Sequence, residues 1–518
     1  MFNFQGDFNG RHNLPGKPML DPITGTLMVL GVGLSLWRIR NPKFLLILTW
    51  FFLMLAPGIF SLDYESPQSL RAIGSMPAAY LLASVPIEWI WQKSEKSAKK
   101  YLNYMFIVDM VILLGMSTVI NFNIYFHQQA NSIDSWISFS TPETIAGNIM
   151  ADLDNKVEYY VSSYYFQTPT IQFLAPKVTD YHMLETYETL PILSTSQKDM
   201  VFLLSEDQKL FFDQAQRFYP SAIFKEHTGP DGSTVLYEIY LSQADILASQ
   251  GLTASYYLGE NWSGKPFLVR TEKNLDFELI DGEPASFPFS IEWTGIVFAP
   301  IYGNYKFVVQ SPALLELVID NFPVVFNGTE KRTGEISLAK GCHTIVVRTV
   351  GIAGSYKLEW QPPEENLEPI PQSVLLLPPF TNNGLLGQYY DNPNWEGSPV
   401  FTQIDPWISF YFHNPPLSRP YTIEWSGRIY ISGGGNYYFG LESIDESSLW
   451  IDEKQIIDNK TPNLYQEAGI FLTPGFHPIR VLFTDRTGYT HIYLYWSPPN
   501  LEQGIIPQYV LFPPIGDP

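Results

Sequence analysis

The sequence predicts a multidomain protein with four transmembrane α-helices, a small α/β domain and two all-β sandwich domains. Three observations predict this fold class. Four apolar stretches lie near the start of the chain, helix-like and strand-like segments alternate in the middle, and the end contains two related copies 132 or 133 residues apart. The predicted domains are a membrane region at 1–128, an extracytoplasmic α/β domain at 129–246, and sandwiches at 247–380 and 381–518.

Charge is divided unevenly along the 518 residues. Residues 1–126 contain 10 Lys and Arg against 7 Asp and Glu, whereas the remaining 392 contain 21 against 45, a net charge of −24. The aromatic content of 15% argues against a disordered acidic chain, because so much apolar surface favours burial. So acidic an exterior predicts no nucleic-acid partner. The single Cys342 excludes a disulfide within the chain.

The apolar stretches predict a multi-pass plasma-membrane protein. They cover residues 23–37, 44–62, 72–91 and 101–125. Each has about 15 to 25 residues, near the ~20 needed to cross a bilayer. Basic loops at 38–43 and 93–100 face the cytoplasm under the positive-inside rule, so residues after about 126 are predicted to be extracytoplasmic. The alternative is a set of buried helices in a soluble core.

Basic side chains are predicted at the outer face of this region. Arg11, His12 and Lys17 precede the first span, and Arg71 lies at the outer mouth of the third. Cations at this level suit a lipid phosphate, since an arginine can bind two of its oxygens at once. The alternative is interfacial anchoring, in which these side chains extend to lipid headgroups.

Two segments of this region resemble a known family. The runs GRHNLPGKPMLDPITGTLMVLGVGL and LRAIGSMPAAYLL resemble the C-terminal membrane region of C-type glycosyltransferases, in the bacterial branch of protein O-mannosyltransferases and aminoarabinose transferases. The spacing from Arg71 to Pro77 is similar to that family's Arg-Tyr-x-x-Pro element, although Ala72 replaces the aromatic residue.

The resemblance implies the C-terminal portion of an enzyme that uses a polyprenyl-phosphate-linked sugar donor. The family's essential acidic residues lie in an N-terminal half that has no counterpart in this sequence, so no catalytic residue is assigned. The alternative function is a non-enzymatic, membrane-anchored glycan-binding or adhesion protein.

The middle of the chain predicts a small α/β unit. Residues 157–163 and 200–204 have the composition of buried strands, residues 206–218 are helix-like, and GPDG at 229–232 indicates a hairpin. Its sequence contains no Gly-rich phosphate loop and no paired Cys or His ligands. A spacer or packing role is therefore predicted for it.

The acidic end is a tandem repeat of one all-β domain. GLTASYY at 251–257 recurs as GLLGQYY at 384–390, IEWTG at 291–295 as IEWSG at 423–427, and GNYKF at 303–307 as GNYYF at 435–439. Short alternating runs separated by Gly, Pro and Asn predict a sandwich or barrel. Four matching tryptophans are predicted to be core: Trp293, Trp360, Trp425 and Trp496. Exposed aromatic residues are the alternative, because they can stack on sugar rings.

Both copies resemble the protective-antigen module (the PA-fourteen domain), a carbohydrate-binding β-sandwich. The resemblance implies a cell-surface glycan as a partner. In sugar-binding members two adjacent Asp residues hold Ca²⁺, and Pro312 and Ala313 occupy these positions in the first copy. In the second copy, Asp445, Glu446 and Asp452 are the candidate calcium ligands. The alternative there is a solvated acidic loop.

Overall fold

The computed structural model describes residues 1–60, 67–96, 100–194, 196–313, 315–325 and 332–515. The end of the predicted span at 44–62 and part of the predicted loop at 93–100 therefore lie outside the described residues. The chain forms two compact units, the first from residues 1–154, 167–178 and 226–237, and the second from residues 155–166, 179–225 and 238–518. The predicted domain boundaries at 128, 246 and 380 stay predictions.

Apolar helices form the start of the first unit, as the sequence predicts. They are α1 (Pro22–Trp37), α2 (Pro42–Ile59), α3 (Ser69–Ala72), α4 (Met76–Glu95) and α5 (Tyr101–Asn123). Among the described residues, three segments are long and apolar enough to cross a membrane, namely Pro42–Ile59, Ser69–Glu95 and Tyr101–Gln129. Helix α1 has only 16 residues, so the fourth predicted span stays a prediction.

Asp21 determines where α1 begins. Its Oδ1 accepts hydrogen bonds from the backbone N–H groups of Ile23 and Thr24, at 3.0 and 3.1 Å, which is the role of an N-cap. Its Oδ2 accepts from Ser117 and Asn121 on α5, at 2.9 and 3.1 Å. One carboxylate therefore both starts α1 and joins it to α5.

Helix α1 packs closely on α4 at Gly31. A Cβ atom at residue 31 would lie 1.7 Å from the carbonyl oxygen of Leu82, so only glycine permits this approach. Small residues at such crossings let apolar helices approach each other when no hydrophobic effect drives their association. Gly33, two residues later, has no atom within 4 Å of an added Cβ and provides a matched control.

Replacing Gly31 with valine is therefore expected to separate α1 from α4, and Gly33→Val is expected to leave their packing intact. Hydrogen exchange of the full-length protein in nanodiscs should show faster exchange in α1 for Gly31→Val alone. Equal acceleration in both variants would contradict this packing.

The middle of the chain contains a mixed α/β sheet, which confirms the predicted α/β class. Its strands follow the order β2-β1-β3-β5-β4, and β1 pairs in parallel with both β2 and β3. The elements are α6 (Ile133–Ser138), α7 (Thr141–Leu153), β1 (Glu158–Ser162), α8 (Pro169–Leu174), β2 (His182–Leu184), β3 (Met200–Leu204), α9 (Lys209–Phe218), β4 (Ile223–Thr228), β5 (Thr234–Leu241) and α10 (Gln243–Ser249).

The first copy of the repeat forms two facing sheets. One has the order β12-β11-β14-β9-β6-β7 with β17 beside β9, and the other has the order β13-β10-β15-β16 with β8 beside β15. The strands are β6 (Leu252–Leu258), β7 (Leu268–Glu272), β8 (Asp276–Leu279), β9 (Phe289–Ala299), β10 (Gly303–Gln310), β11 (Leu315–Ile319), β12 (Phe322–Val325), β13 (Arg332–Leu338), β14 (Gly341–Val350), β15 (Gly354–Gln361), β16 (Glu368–Pro369) and β17 (Leu375–Leu376).

The second copy repeats this arrangement. One sheet has the order β19-β18-β21-β26-β23-β24 with β29 beside β21, and the other has the order β20-β27-β22-β25 with β28 beside β27. The strands are β18 (Leu385–Tyr390), β19 (Phe401–Asp405), β20 (Ser409–Tyr411), β21 (Tyr421–Ile431), β22 (Gly435–Ser443), β23 (Ser447–Ile451), β24 (Lys454–Asn459), β25 (Gln466–Leu472), β26 (Gly475–Asp485), β27 (His491–Ser497), β28 (Gly504–Ile505) and β29 (Leu511–Phe512).

The tryptophan predictions hold in three of four cases. Trp293, Trp360 and Trp425 are fully buried. Trp496 is only partly buried; it lies near the end of β27, between β22 on one side and the two-residue strand β28 on the other. The repeated tryptophans therefore form the sandwich cores, with one at a core margin.

Candidate functional site

The predicted phosphate-binding residues lie in the first unit, and an aspartate that the sequence analysis missed organises part of this group. The buried Asp7 accepts through Oδ2 from the backbone N–H of Ser69 at 2.7 Å, and His12 Nδ1 lies 2.9 Å from the same oxygen. His12 is thereby held beside the start of α3, the helix that carries Arg71.

The other two basic residues are placed differently. Arg11 donates through Nε to the backbone carbonyl of Ser138, at the end of α6, and Lys17 is exposed. The structure therefore joins His12 to the segment containing Arg71, while one guanidinium nitrogen of Arg11 already has a partner. A lipid-phosphate site formed by Arg11, His12, Lys17 and Arg71 stays a prediction.

The candidate calcium residues occupy two ends of one strand in the second sandwich. Asp445 precedes β23, and Asp452 follows it, so seven residues at ~3.3 Å each place them on the order of 20 Å apart. Asp445 Oδ2 accepts from the backbone N–H groups of Arg486 and Thr487, at 2.7 and 3.1 Å. This carboxylate ties the turn before β23 to the turn after β26.

The neighbouring acids also have partners of their own. Glu446 pairs with the Arg486 guanidinium at 3.1 Å, and Asp452 pairs with His477 at 2.7 Å. In the part of the chain that the structure describes, no three His, Cys, Asp or Glu side chains are grouped to hold a metal ion. Since Ca²⁺ takes six to eight oxygen ligands, this arrangement of Asp445, Glu446 and Asp452 does not fit a calcium site as it stands.

Each sandwich instead contains a buried acid that holds the ring N–H of a core tryptophan. Glu272, at the end of β7, accepts from Trp293 Nε1 at 2.7 Å and from the Tyr256 hydroxyl at 2.5 Å. The side chain of Arg270 also donates to Glu272 Oε1, at 2.8 Å. This acid is reached by solvent only slightly, with a side-chain exposure of 13%.

Asp405 occupies the equivalent position, 133 residues later, at the end of β19. Its Oδ2 accepts from Trp425 Nε1 at 2.7 Å and from the Tyr389 hydroxyl at 2.8 Å, and its Oδ1 accepts from Gln403 at 2.8 Å. Asp405 is fully buried, and burial raises the pKa of its carboxyl group to about 6.

Strand β19 is also where three parts of the second unit meet. The backbone of Lys340, in the first sandwich, donates to the Thr402 carbonyl and accepts from the Ile404 N–H, both at 2.8 Å. The side chain of Gln403 donates to the carbonyl of Tyr187, which follows β2, at 3.0 Å. The strand that carries the buried acid is thus hydrogen-bonded to the first sandwich and to residues 155–166 and 179–225 of the second unit, which we call the α/β segment.

Each sandwich also contains an aspartate–histidine pair, in which the aspartate is the last residue of the L-x-I-D motif. In the first sandwich, Asp320 Oδ2 lies 2.5 Å from His343 Nδ1, and His343 Nε2 lies 2.8 Å from the Ala339 carbonyl oxygen. Asp452 and His477 form the equivalent pair in the second sandwich. Both aspartates have a φ near +50°, so the turn needs a residue that tolerates the left-handed region.

Comparison with known families decides the identity of the second sandwich. Residues 381–508 match the family described as the PA14 domain. These residues form a PA14 domain. The match covers the second copy, and the assignment of the first copy to the same family stays a prediction.

Among characterised proteins, the chain is similar to the anti-sigma-I factor RsgI3 of Acetivibrio thermocellus. The two are 26% identical over 234 residues, which cover 40% of this chain and 35% of that protein. The chain thus matches about a third of the length of this relative.

Several solved structures show likeness to parts of the chain. An anti-sigma factor domain-containing protein from Clostridium clariflavum is 24% identical, covering 51% of this chain and 99% of its own, with a TM-score of 0.24. The PA14 domain of the MpAFP antifreeze protein is 15% identical, covering 26% and 93%, with a TM-score of 0.23. The PA14 sugar-binding domain from an RTX adhesin is 16% identical, covering 25% and 99%, with a TM-score of 0.22.

These TM-scores are too low to support any conclusion about function. None of the proteins named here is a glycosyltransferase, so the predicted glycosyltransferase relationship of residues 1–128 has no support from them.

Proposed function

We propose that this chain is a membrane-anchored protein that binds glycans through its PA14 domain outside the cell. The observation that carries the proposal is the presence, in one chain, of three candidate membrane spans and a PA14 domain. Such an architecture holds a recognition domain at the membrane surface. The predicted multi-pass topology, with residues after about 126 extracytoplasmic, is part of this proposal.

The proposal is favoured over the predicted glycosyltransferase. The glycosyltransferase hypothesis needs a polyprenyl-phosphate site, but the Nε atom of Arg11 already donates to the backbone carbonyl of Ser138. The glycan-binding hypothesis depends on the PA14 domain, which is the domain that the family match supports.

A second candidate function is signalling, favoured by the 26% identity over 234 residues to a protein named as an anti-sigma-I factor. A sensor of this kind would carry glycan binding as its input. Both candidates place the PA14 domain outside the membrane, so they share the same first test.

Two measurements test the proposal. Reporter fusions after Lys100 should indicate the cytoplasm, and fusions after Gly251 should indicate the exterior. The full-length protein in nanodiscs should bind at least one polysaccharide when soluble cell-surface and plant polysaccharides are titrated by calorimetry. Cytoplasmic fusions after Gly251, or no binding to any polysaccharide, would refute it.

A further inference from the structure

The outer face of one PA14 sheet carries a group of four tyrosines. In β27 the side chains of Ile492 and Leu494 are buried in the core, and Tyr493 and Tyr495 alternate with them on the outer face. In β22, paired beside it, Tyr438 lies on this same outer face and is 49% exposed. Tyr465 reaches over the face from the residue just before β25. We call these four residues the tyrosine strip.

Two glycines allow the rings to lie against the sheet. A Cβ atom at Gly440 would lie 2.4 Å from the hydroxyl oxygen of Tyr465, so any other residue would displace this ring. A Cβ atom at Gly469 would lie 3.0 Å from a ring carbon of Tyr438. The rings of Tyr465 and Tyr438 therefore lie close over the backbone of a glycine.

The rings are also in contact with one another. The centroids of Tyr493 and Tyr495 are 6.2 Å apart, and those of Tyr495 and Tyr465 are 5.9 Å apart. The ring planes of these two pairs are inclined by 44° and 66°, so these three rings form an angled aromatic surface that reaches from β27 toward β25. Such a surface has the shape that pairs with the apolar C–H faces of several linked sugars.

Hydrogen-bonding groups border the strip. The Tyr465 hydroxyl donates to Glu467 Oε2 at 2.9 Å and accepts from the Gln503 side-chain amide. Glu442 is paired across the sheet with Tyr493. These carboxylates and amides can accept from or donate to sugar hydroxyls.

The α/β segment borders one end of the tyrosine strip. The Tyr164 ring stacks with that of Tyr411, with centroids 5.8 Å apart, and Tyr411 lies on the strand next to β27. Burial, followed by the charge of Asp207, raises the pKa of both Tyr164 and Tyr493.

The first sandwich shows that the fold does not require this face. At the positions equivalent to Tyr438, Tyr493 and Tyr495, it has Lys306, Lys357 and Glu359. Lys357 Nζ and Glu359 Oε1 form an ion pair at 2.9 Å. The same sheet is therefore stable with a charged outer face, and the aromatic one is specific to the PA14 domain.

We propose that the tyrosine strip binds an uncharged polysaccharide chain. This inference rests on the proposed function, and it locates the glycan on the sheet face rather than at the Asp445 loop. We choose an uncharged ligand because residues 127–518 carry a net charge of −24. This charge repels acidic polymers, and it also repels a second copy of the chain. Every ring of the strip bears a hydroxyl group, and this suits a hydroxylated ligand.

The test exchanges the two faces of the duplicated fold. The triple variant Tyr438→Lys, Tyr493→Lys, Tyr495→Glu gives the PA14 domain the first sandwich's residues. In full-length protein in nanodiscs, we expect at least a tenfold loss of affinity for soluble β-glucan or α-mannan, whichever the native chain binds. The matched control Lys306→Tyr, Lys357→Tyr, Glu359→Tyr, in the first sandwich, is expected to retain native affinity.

Further arms separate this inference from the proposed function. If the native chain binds no polysaccharide at all, both are overturned. If the native chain binds a polysaccharide and the triple variant binds it equally well, the proposed function stands and binding at the tyrosine strip is refuted. The same conclusion follows if the native chain binds only polygalacturonate. Loss of binding with EDTA or in Asp445→Ala, but not in the triple variant, would likewise overturn it and place the ligand at the loop.

Folding is checked independently. Tyr438→Ala and Tyr493→Ala are single changes on the outer face, and each should weaken binding severalfold while hydrogen exchange in β21 and β26 stays native. Native affinity in both single variants would also overturn the inference, even if the triple variant failed to fold.

Discussion

Replacing Asp405 with alanine is expected to lower the free energy of unfolding of the PA14 domain by about 3–5 kcal/mol at pH 7. The substitution leaves three donors without their acceptor inside the core, namely Trp425 Nε1, the Tyr389 hydroxyl and the Gln403 amide. Each buried donor without a partner costs about 1–3 kcal/mol. Hydrogen exchange of the full-length protein should show the loss in β18, β19 and β21.

Glu272→Ala is the matched control in the first sandwich. It removes the acceptor of Trp293 and Tyr256, but the partner Arg270 is half-exposed, so water can replace part of the lost network. We expect a loss of about 1–3 kcal/mol, confined to the first sandwich. Equal destabilisation by the two variants would contradict the difference in burial.

The same carboxyl group predicts a pH dependence. Burial raises the pKa of Asp405 to about 6, above its value of about 4 in an unfolded chain. The part of its contribution that depends on protonation is therefore fully present below about pH 4 and is lost as pH rises through 6, up to about 3 kcal/mol, whereas its hydrogen bonds to Trp425, Tyr389 and Gln403 remain. Asp405→Asn should remove this part of the pH profile, and an unchanged profile would contradict the assignment.

The second large effect is expected at His343. His343→Ala should destabilise the first sandwich by about 2–4 kcal/mol, because it removes the buried partner of Asp320 and leaves the Ala339 carbonyl without its donor. Thermal unfolding of the full-length protein, with hydrogen exchange in β11 and β14 to locate the change, measures it.

His477→Ala is the corresponding control in the PA14 domain. Its partner Asp452 is 45% exposed, so this pair is close to a surface ion pair and its loss should cost about 1 kcal/mol or less. A larger effect at His477 than at His343 would contradict the role of burial.

The Asp320–His343 pair should also respond to pH. Burial opposes the histidine charge, but the charge of Asp320 and the hydrogen bonds outweigh it and raise the pKa of His343. Hydrogen bonds and His343 likewise outweigh burial and lower the pKa of Asp320. The contribution of His343 is therefore fully present below about pH 6.5 and is lost as pH rises through the raised value, while that of Asp320 is lost in acid. In His343→Ala the histidine effect should disappear, and the effect of Asp320 should become smaller, because Thr344 still donates to its carboxylate.

Much of the fold could be predicted from the sequence, because the repeated motifs are long and contain large core residues. The IEWTG and IEWSG motifs by themselves align Trp293 with Trp425. The acids Glu272 and Asp405 were missed, since the segments LVRTE and FTQID around them share no residue type at any other position. Comparing the copies column by column, rather than motif by motif, would have shown an acid at both positions.

The candidate sites were harder to predict, since they depend on contacts between distant segments. Asp445 binds backbone groups at Arg486 and Thr487, about forty residues away, and no local pattern indicates that partner. The strip was missed for a related reason. Alternation indicates which residues face outward, but only the strand pairing of Gly440 and Gly469 shows that the rings of Tyr465 and Tyr438 have room against the sheet.

The hydrogen bonds around β19 also determine how the second unit responds to mechanical load. The backbone of Lys340 bonds to both Thr402 and Ile404, and Gln403 bonds to Tyr187, so this strand is tied to the first sandwich and to the α/β segment. Two sandwiches joined only by a linker would extend one after the other when pulled. Here, tension across the second unit loads these bonds together, so the two sandwiches and the α/β segment are expected to yield together.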